Sequence, residues 1–386
     1  MTINVLHLTS TPRGVGGVEQ LLLDGAQCFG GRRVSVSFAN VFANDDTGPF
    51  PVAMRRLGVP FRNISGSGPA SIPVVLAQLV RLLQAWRTDV LHMHMFHATV
   101  AGTVAARMAR VPVSVVTRHY LEAGYAHRSR VAQWLDSAAV RSATHVVGVS
   151  QAVRADLIER VGVGAERVTV IPNGINISRL NGDRSARARQ AGPSSECVLC
   201  TVGSLVPWKG HADLIRAFGL AVQRVPALRL VLVGDGPERR ALEQLAGDLG
   251  VGERVTFAGF TTDVPGILRA CDVYVHAARD EALGVAILEA MAAGKPVVAT
   301  AVGGVRDIIS SETVGLLVPP ANPHAMADAI VRLAGDPAER DRLGHRGERH
   351  VTESFSIEGV VARYESLYER LMNENQAAHV RARAHA

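Results

Sequence analysis

The chain has 386 residues, 47% of them hydrophobic, which is enough for roughly two to three domains with packed cores. It carries 41 lysines and arginines against 35 aspartates and glutamates, a formal charge of +6 that is spread along the chain. This composition excludes an intrinsically disordered chain. Without a basic stripe interleaved with aromatic residues, we expect no nucleic-acid partner.

The apolar stretches are too short or too interrupted to span a membrane. The best candidate, residues 72–86, contains Arg81, and residues 1–9 lack the basic segment of a signal peptide. Four cysteines in so long a chain do not make a disulfide scaffold. The sequence therefore predicts a cytoplasmic protein.

Strands and helices alternate through both halves of the chain. The first half predicts strands at residues 3–8, 34–41, 90–93, 113–117, 145–149 and 168–171, with helices at 19–28, 73–86, 98–110 and 129–140. The second half predicts strands at 198–202, 229–233, 255–257, 273–276, 297–300 and 316–318, with helices at 212–222, 238–249, 285–293 and 323–333. Because twelve strands are too many for one sheet, we expect an α/β protein with two doubly wound parallel sheets.

The domain boundary is predicted from a polar stretch. Residues 178–196 are rich in Arg, Gly and Ser and have no apolar periodicity, which is typical of a linker. We therefore place an N-terminal domain at 1–178 and a C-terminal domain at 196–355. Residues 356–375 have the apolar face of a helix, and the polar residues 376–386 predict a flexible tail.

Two glycine-containing turns suit a bound phosphate. Gly16 and Gly17 lie between the first strand and the first helix, where a close backbone and free N–H groups favour an anion, although a plain tight turn explains them equally. Lys209, one of only two lysines, follows strand 198–202 and suits a diphosphate, with an exposed surface lysine as the alternative. Gly234 ends the next strand, and Pro237 gives that turn a structural explanation.

The segment 279–289 is the most informative in the chain. Glu281 lies in a loop, Gly284 lies where a helix begins, and Glu289 is about one turn inside that helix. The N–H groups of residues 283–285 would face an anion flanked by two carboxylates, which suits a polyhydroxylated phosphate ester. Ordinary acidic bias in a first helical turn is the alternative.

Together these motifs resemble those of glycosyltransferase family 4. Its E-x7-E signature corresponds to Glu281 and Glu289, and the match continues nearly over the whole chain, in order, through residues 16–19, 147–151, 170–174, 209–210, 288–300 and 315–319. The resemblance implies a GT-B fold, in which two Rossmann-like domains face a cleft and a C-terminal helix crosses back onto the N-terminal domain.

The resemblance also implies roles in the C-terminal domain. Lys209 would neutralise the donor diphosphate, and Glu281 with the amides of Leu283, Gly284 and Val285 would hold the donor sugar and its phosphate. Glu289 would bind the ribose hydroxyls.

Five further residues are assigned to the donor site. Gly16 and Gly17 would approach the donor phosphate, and His119 matches a histidine that contacts the donor sugar, so that His119, Lys209 and Glu281 are the catalytic candidates. Gly234 is assigned to the donor site as well. Ser204 stands where the family usually has an arginine, so one of the two cations expected beside the donor diphosphate is missing.

The resemblance predicts a hexosyltransferase-type enzyme that moves a sugar from a UDP- or GDP-sugar to an acceptor hydroxyl with retention. Its products would be a polysaccharide, a glycolipid or a glycosylated metabolite, and its acceptor a small molecule, a glycan or a lipid-linked sugar. Because the chain contains no D-x-D sequence, we expect neither metal nor cofactor. A catalytically silent partner subunit, suggested by Ser204, and a nucleotide-sugar epimerase on the same fold remain open.

The acceptor is expected at the first domain. His92, His94 and His97 cluster around one strand, but no cysteine or acidic residue joins them, so we predict acceptor-binding or structural histidines and no metal site. The acceptor candidates are His94, His97, Arg118 and Tyr120.

A peripheral membrane contact is a further expectation. Residues 107–160 carry eight arginines against four acidic residues. A basic helix near 126–141 could contact anionic lipid on the inner face of a membrane. A solvated helix face is the simpler interpretation.

Overall fold

The computed structural model describes residues 2–10, 16–29, 33–43, 45–66, 68–121, 129–180 and 196–384. The chain forms two compact units. Unit 1 contains Met1–Gly174 and Ile357–Ala386, and unit 2 contains Ile175–Ser356.

Unit 1 is built on a parallel sheet of seven strands in the order β3-β2-β1-β4-β5-β6-β7. The strands are β1 (Ile3–Thr9), β2 (Val34–Val41), β3 (Phe61–Ile64), β4 (Val90–His94), β5 (Val113–Arg118), β6 (His145–Gly148) and β7 (Val168–Val170). The helices are α1 (Gly17–Cys28), α2 (Pro49–Arg56), α3 (Ile72–Ala85), α4 (Phe96–Ala109), α5 (Arg130–Ser142) and α6 (Gln151–Glu159). The strand order reverses between β1 and β4, and ligands of such sheets bind at the carboxyl ends beside that point.

Unit 2 has a parallel sheet of six strands in the order β10-β9-β8-β11-β12-β13, which reverses between β8 and β11. The strands are β8 (Cys197–Val202), β9 (Leu228–Val233), β10 (Val255–Gly259), β11 (Val273–His276), β12 (Val297–Thr300) and β13 (Leu316–Val318). The helices are α7 (Ile177–Leu180), α8 (His211–Arg224), α9 (Arg239–Asp248), α10 (Val264–Ala270), α11 (Val285–Ala292), α12 (Val305–Ile308), α13 (Pro323–Gly335) and α14 (Pro337–Ser354).

The predicted α/β class with two doubly wound parallel sheets is confirmed. The central strands are apolar runs because helices cover both of their faces. The sequence prediction missed β3, an edge strand of four residues that includes the polar Arg62 and Asn63. The predicted linker at 178–196 begins inside α7, and residues 181–195 lie outside the described part of the chain.

A last helix, α15 (Ile357–Ala384), completes the core of unit 1. Tyr364, Tyr368 and Leu371 are buried there against side chains of the sheet, including Phe38. The segment from residue 376, for which we predict a flexible tail, continues the helix as far as Ala384. Just before that segment, Arg370 is paired with Glu374, and Asn375 Nδ2 donates a hydrogen bond to the carbonyl of Pro112.

In the part of the chain that the structure describes, no helix combines the length and the apolar character that crossing a membrane requires.

Candidate functional site

In unit 2 the turns that follow β8 and β9 pack directly against each other. A Cβ atom at Gly234, whose φ is +133°, would lie 2.0 Å from the carbonyl oxygen of Gly203, so only glycine fits. Leu205 N donates to the carbonyl of Asp235 at 3.0 Å. These contacts fix the start of the turn that ends at Lys209.

The same turn also lies against the end of β11. Gly210, with a φ of +67°, leaves no room for a Cβ atom, which would lie 2.0 Å from the carbonyl oxygen of Ala277. Beyond it, the backbone N–H groups of Arg279 and Asp280 both donate to the carbonyl of Trp208, at 2.8 and 3.4 Å. The loop after β11 is thereby held beside Lys209.

Lys209, Glu281 and His276 meet at the carboxyl ends of β8 and β11. Lys209 Nζ lies 2.5 Å from Glu281 Oε2, and His276 Nε2 lies 3.0 Å from the same oxygen. Both Glu281 and His276 are largely buried, with side chains 12% and 5% exposed, whereas Lys209 is 25% exposed. Within the cluster, solvent therefore reaches the Lys209 side chain more than the Glu281 side chain.

Glu281 is held in its ionised form. Burial opposes its charge, but the ammonium of Lys209 and the hydrogen bond from His276 outweigh burial and lower the pKa of Glu281 to about 2. An ionised carboxylate only accepts hydrogen bonds, so its natural ligands are hydroxyl or N–H donors.

The N-terminus of α11 follows Glu281. Gly284 caps this helix with a φ of +101°, a conformation that glycine adopts without strain. The amides of Leu283, Gly284 and Val285 are the backbone groups at this helix start. In the second turn, Glu289 Oε1 accepts a hydrogen bond from Arg179 Nη2 at 2.8 Å.

The structure thus brings Lys209 and Glu281 together, with residues 283–285 next in the chain and Glu289 one turn further on. Ser204 lies on the turn before Lys209, and its carbonyl accepts a hydrogen bond from His211 Nε2 at 3.1 Å. The Ser204 side chain is exposed and adds no cation to the turn.

Sequence reasoning missed two members of this site. His276 is the last residue of β11, and its position at a strand end is a signal that could have been used. Arg179 lies 110 residues from its partner Glu289, and no local pattern connects them.

In unit 1, Gly16 and Gly17 lie at the start of α1, after β1. Gly16 caps the helix, and its N–H donates to Glu19 Oε2 at 2.9 Å, so one of the predicted phosphate-binding amides is already bonded. A Cβ atom at Gly17 would contact nothing within 4 Å. Residues 11–15 of this turn lie outside the described residues.

Four histidines lie together beside the reversal of strand order in unit 1. His7 Nδ1 is 3.1 Å from His94 Nε2, and His94 Nδ1 is 3.1 Å from His119 Nε2. His92, which pairs with His7 across β1 and β4, is bonded to Tyr368 and Thr117, each at 2.6 Å. Parallel pairing of distant strands therefore builds this histidine cluster, which consists of His7, His92, His94 and His119.

The histidine cluster is neutral near pH 7. Burial lowers the pKa of His7 to about 3 and that of His119 to about 4, and it lowers the pKa of His92 and His94 well below the usual value. Neutral imidazoles are the form that binds metal ions, and ligand atoms of His7, His92 and His94 lie within 4.8 Å of one another. However, hydrogen bonds use both ring nitrogens of His92, so a metal ion would have to displace them.

The other acceptor candidates lie in two places. His97 is exposed on α4 and contacts the rings of Phe42 and Phe96, apart from the histidine cluster. Arg118 ends β5 and is buried, where its Nη1 is hydrogen-bonded to Asp136. Tyr120 donates to the same carboxylate at 3.0 Å.

The chain has two parallel-sheet units of Rossmann type. In unit 2 a cluster of cationic and acidic side chains lies at the reversal of strand order. These features are those of the GT-B glycosyltransferases. The model for "Glycosyltransferase Family 4" matches residues 15–179, and that for "Glycosyl transferases group 1" matches residues 183–350. The chain is 32% identical to D-inositol 3-phosphate glycosyltransferase of Salinispora tropica, over 78% of this chain and 68% of that protein. The chain therefore belongs to glycosyltransferase family 4, and it is a glycosyltransferase.

Other similar proteins cover the whole length of the chain. It is 25% identical to 2-deoxystreptamine glucosyltransferase of Streptomyces kanamyceticus, over 97% of this chain and 100% of that protein. HepE of Anabaena in complex with UDP-glucose superposes with a TM-score of 0.82 and 26% identity, over 95% of this chain and 100% of HepE. Sucrose-phosphate synthase of Thermosynechococcus elongatus shares the fold, with a TM-score of 0.79, 24% identity and coverage of 96% and 100%.

Proposed function

We propose that this glycosyltransferase uses a UDP-sugar and that unit 2 binds this donor. The observation that carries the proposal is the convergence of Lys209, Glu281 and His276 at the carboxyl ends of β8 and β11. HepE, a relative of 26% identity, has been crystallised with UDP-glucose, which supports UDP as the nucleotide.

The donor diphosphate would lie against Lys209 and the N-terminus of α11. Negative charge develops on the diphosphate as the bond to the sugar breaks, and a fixed ammonium and backbone amides stabilise that charge without reorganising. Lys209 is fixed because Glu281 holds its Nζ at 2.5 Å. The ionised Glu281 in turn accepts hydrogen bonds from hydroxyls of the donor sugar.

Glu289 would accept hydrogen bonds from the ribose hydroxyls. It lies in the second turn of α11, about 6 Å along the helix from Val285 at a rise of about 1.5 Å per residue. That separation suits one ligand whose phosphate lies at the helix start and whose ribose lies beside the second turn.

His119 and the acceptor candidates would belong to unit 1. His119 Nε2 is bonded to His94, so we infer that this nitrogen does not transfer a proton and that His119 has a positioning role. This inference distinguishes a positioning role from proton transfer. His119→Gln would keep turnover within about tenfold in the first case and abolish it in the second.

We further propose transfer with retention and without a divalent cation. The test is release of UDP from UDP-glucose, UDP-galactose and UDP-N-acetylglucosamine, with GDP- and ADP-sugars as controls, in EDTA and in manganese. Turnover that is equal in both solutions, with an α-linked product by NMR, supports the proposal. Turnover that requires manganese, or a β-linked product, contradicts it.

The same assay separates the two other interpretations. A silent partner subunit releases no nucleotide from any donor, and an epimerase isomerises the donor when no acceptor is present. Ser204 favours the silent subunit, whereas the ion pair of Lys209 with Glu281 favours a working donor site.

We also propose that unit 1 contacts anionic lipid through α3, α4 and α5, which pack side by side. Met108, Val131 and Trp134 are 59%, 67% and 64% exposed there. These helices also carry exposed arginines at positions 81, 107, 130 and 141. Their one carboxylate, Asp136, is buried against Arg118, so the exposed charge on these helices is entirely positive.

Co-sedimentation with vesicles tests this membrane contact. We expect binding to vesicles of phosphatidylglycerol and phosphatidylcholine, loss of binding in pure phosphatidylcholine, and weaker binding of the variant Trp134→Ser. Absence of binding to the anionic vesicles at low salt would contradict the proposal, and the acceptor would then be sought among soluble compounds.

A further inference from the structure

The two glutamates of the E-x7-E signature each have a cationic partner from a distant segment of unit 2. Glu281 is paired with Lys209, which follows β8. Glu289 is paired with Arg179 of α7, whose Nη2 lies 2.8 Å from Glu289 Oε1. The signature therefore consists of two ion pairs rather than two lone carboxylates.

The Arg179–Glu289 pair is largely buried but still reached by solvent. The Arg179 side chain is 28% exposed and that of Glu289 is 13% exposed, nearly as in the pair of Lys209 with Glu281. A charge-assisted hydrogen bond of 2.8 Å from Arg179 Nη2 gives Glu289 Oε1 a fixed partner. Because solvent reaches the pair, a ligand can reach it as well.

The local backbone keeps Arg179 in place. Ile175 N donates to the carbonyl of Phe355, and Ile175 also forms a bridge with Ser356. Asn176 Oδ1 then accepts a hydrogen bond from Arg179 N at 3.3 Å. Arg179 is thus presented to α11 by a short helix that is tied to the end of α14.

We propose that Arg179 is a positioning residue that makes Glu289 selective for ribose hydroxyls. Its guanidinium holds Oε1, so the Glu289 carboxylate keeps a preferred orientation. An oriented acceptor forms a good hydrogen bond with a ribose hydroxyl, whereas a deoxyribose leaves that acceptor without its donor, which costs affinity. This inference rests on the proposed binding of a UDP-sugar in unit 2.

The experiment compares UDP with 2′-deoxy-UDP and 3′-deoxy-UDP by calorimetric titration of the full chain. In the unchanged protein we expect at least one deoxy nucleotide to bind about tenfold more weakly than UDP. In Arg179→Ala, binding of UDP should weaken while binding of the deoxy nucleotide changes little. The ratio of their dissociation constants should therefore fall below about threefold. In Lys209→Ala the affinities for UDP and for the deoxy nucleotide should fall equally, so the ratio of the dissociation constants is preserved.

Arg179→Lys separates the charge from the geometry of the fork. If positioning matters, lysine restores only part of the ratio, because its ammonium is a point charge on a flexible stem and does not reproduce the direction of the guanidinium N–H. Thermal unfolding of each variant shows whether the unit stays folded. If Arg179 had a merely structural role, its substitution would weaken the binding of UDP and of the deoxy analogues together, and the ratio of their dissociation constants would stay unchanged.

The outcomes are distinct for the two proposals. If the unchanged protein binds UDP and Arg179→Ala keeps the full ratio, Arg179 is not a positioning residue and the proposed donor site stands. If the unchanged protein does not distinguish UDP from either deoxy nucleotide, Glu289 does not bind the ribose and the inference is overturned. If it binds no UDP at all, the proposed function fails, and the inference fails with it.

Discussion

The two units place their polar side chains at equivalent points but use opposite chemistry. In unit 1 the carboxyl side of β1 and β4 carries the neutral histidine cluster, joined by hydrogen bonds between rings and hydroxyls. In unit 2 the carboxyl ends of β8 and β11 carry Lys209, Glu281 and His276, where Glu281 is ion-paired with Lys209 and hydrogen-bonded to His276.

This difference has a physical cause. The histidines of unit 1 are covered by α15, and Tyr368 closes the cluster, so burial removes their charge. Lys209 remains 25% exposed, and its ammonium keeps the buried carboxylate of Glu281 charged. We therefore expect unit 1 to respond to proton concentration and unit 2 to respond to the loss of one charged partner.

The largest expected effect is acid sensitivity of unit 1. Each histidine of its cluster has a pKa below the unfolded value of 6.5, so the unfolded state binds more protons and stability falls as pH drops below 6.5. At about 1.4 kcal/mol per pH unit for each buried histidine, the four together lower stability by up to about 5 kcal/mol per unit.

Unit 2 serves as the internal control for this prediction. It has one histidine of this kind, His211, whose pKa burial lowers to about 4. The pKa of Glu281, lowered to about 2, contributes stability that is present above pH 4.5 and is lost only as pH falls below it. Between pH 7 and pH 5.5, the protection of backbone amides against hydrogen exchange, taken relative to the intrinsic rate at each pH, should therefore fall more in β1 and β4 than in β8 and β11. An equal fall in both sheets would contradict the comparison.

The second expected effect is loss of turnover on breaking the charged cluster of unit 2. Lys209→Ala removes a preorganised cation from the donor site and should lower kcat about 10²- to 10³-fold. Glu281→Ala should have an effect of similar size, because it removes the group that fixes Lys209 and accepts hydroxyl protons. The check is the rate of UDP release with circular dichroism on the same samples. A rate near that of the unchanged protein in either variant would remove the site assignment.

The third effect concerns the helix start in unit 2. Gly284→Ala forces alanine to a φ of +101°, which should cost about 1–3 kcal/mol and shift the amides of α11. Gly247→Ala is the matched control, because Gly247 lies inside α9 with no atom within 4 Å of a Cβ atom and should stabilise by about 0.5–1 kcal/mol. Thermal unfolding measures both. Equal changes in the stability of the two variants would show that glycine is not required at position 284 for its backbone conformation.

The smallest expected effect concerns Ser204, which stands where the family usually has an arginine. Ser204 is exposed on the turn that leads to Lys209, so Ser204→Arg adds a cation without disturbing the core. We expect UDP to bind a few-fold more tightly, since an added charge at a solvent-exposed site contributes up to about 1 kcal/mol. Calorimetric titration tests this. Weaker binding of UDP would mean that a diphosphate does not lie beside this turn.

The sequence predicted most of the strands of the fold because buried parallel strands read as apolar runs. Every strand of unit 2 was found in this way, whereas β3 was missed because an edge strand is half-covered and contains polar residues. The end of α15 was missed for the opposite reason. Its last residues, from 376 onward, are polar, and the apolar face that predicts the helix ends before them.

The candidate site was predicted where chemistry follows directly from position in the chain. Lys209 and Glu281 come after strands, so parallel-sheet geometry alone places them at one edge. His7 and Arg179 were missed because their partners His94 and Glu289 lie 87 and 110 residues away. Lys295, the other lysine, proved to be buried, and its Nζ donates to the carbonyl of Arg269.

Hydrogen exchange with and without saturating UDP tests the central claim most directly, because it locates the bound nucleotide on the intact chain. We expect slower exchange in peptides that cover residues 203–211 and 276–292, the segments that carry Lys209 and the E-x7-E signature. Protection that is confined to unit 1, or no protection anywhere at saturating UDP, would contradict a donor site in unit 2.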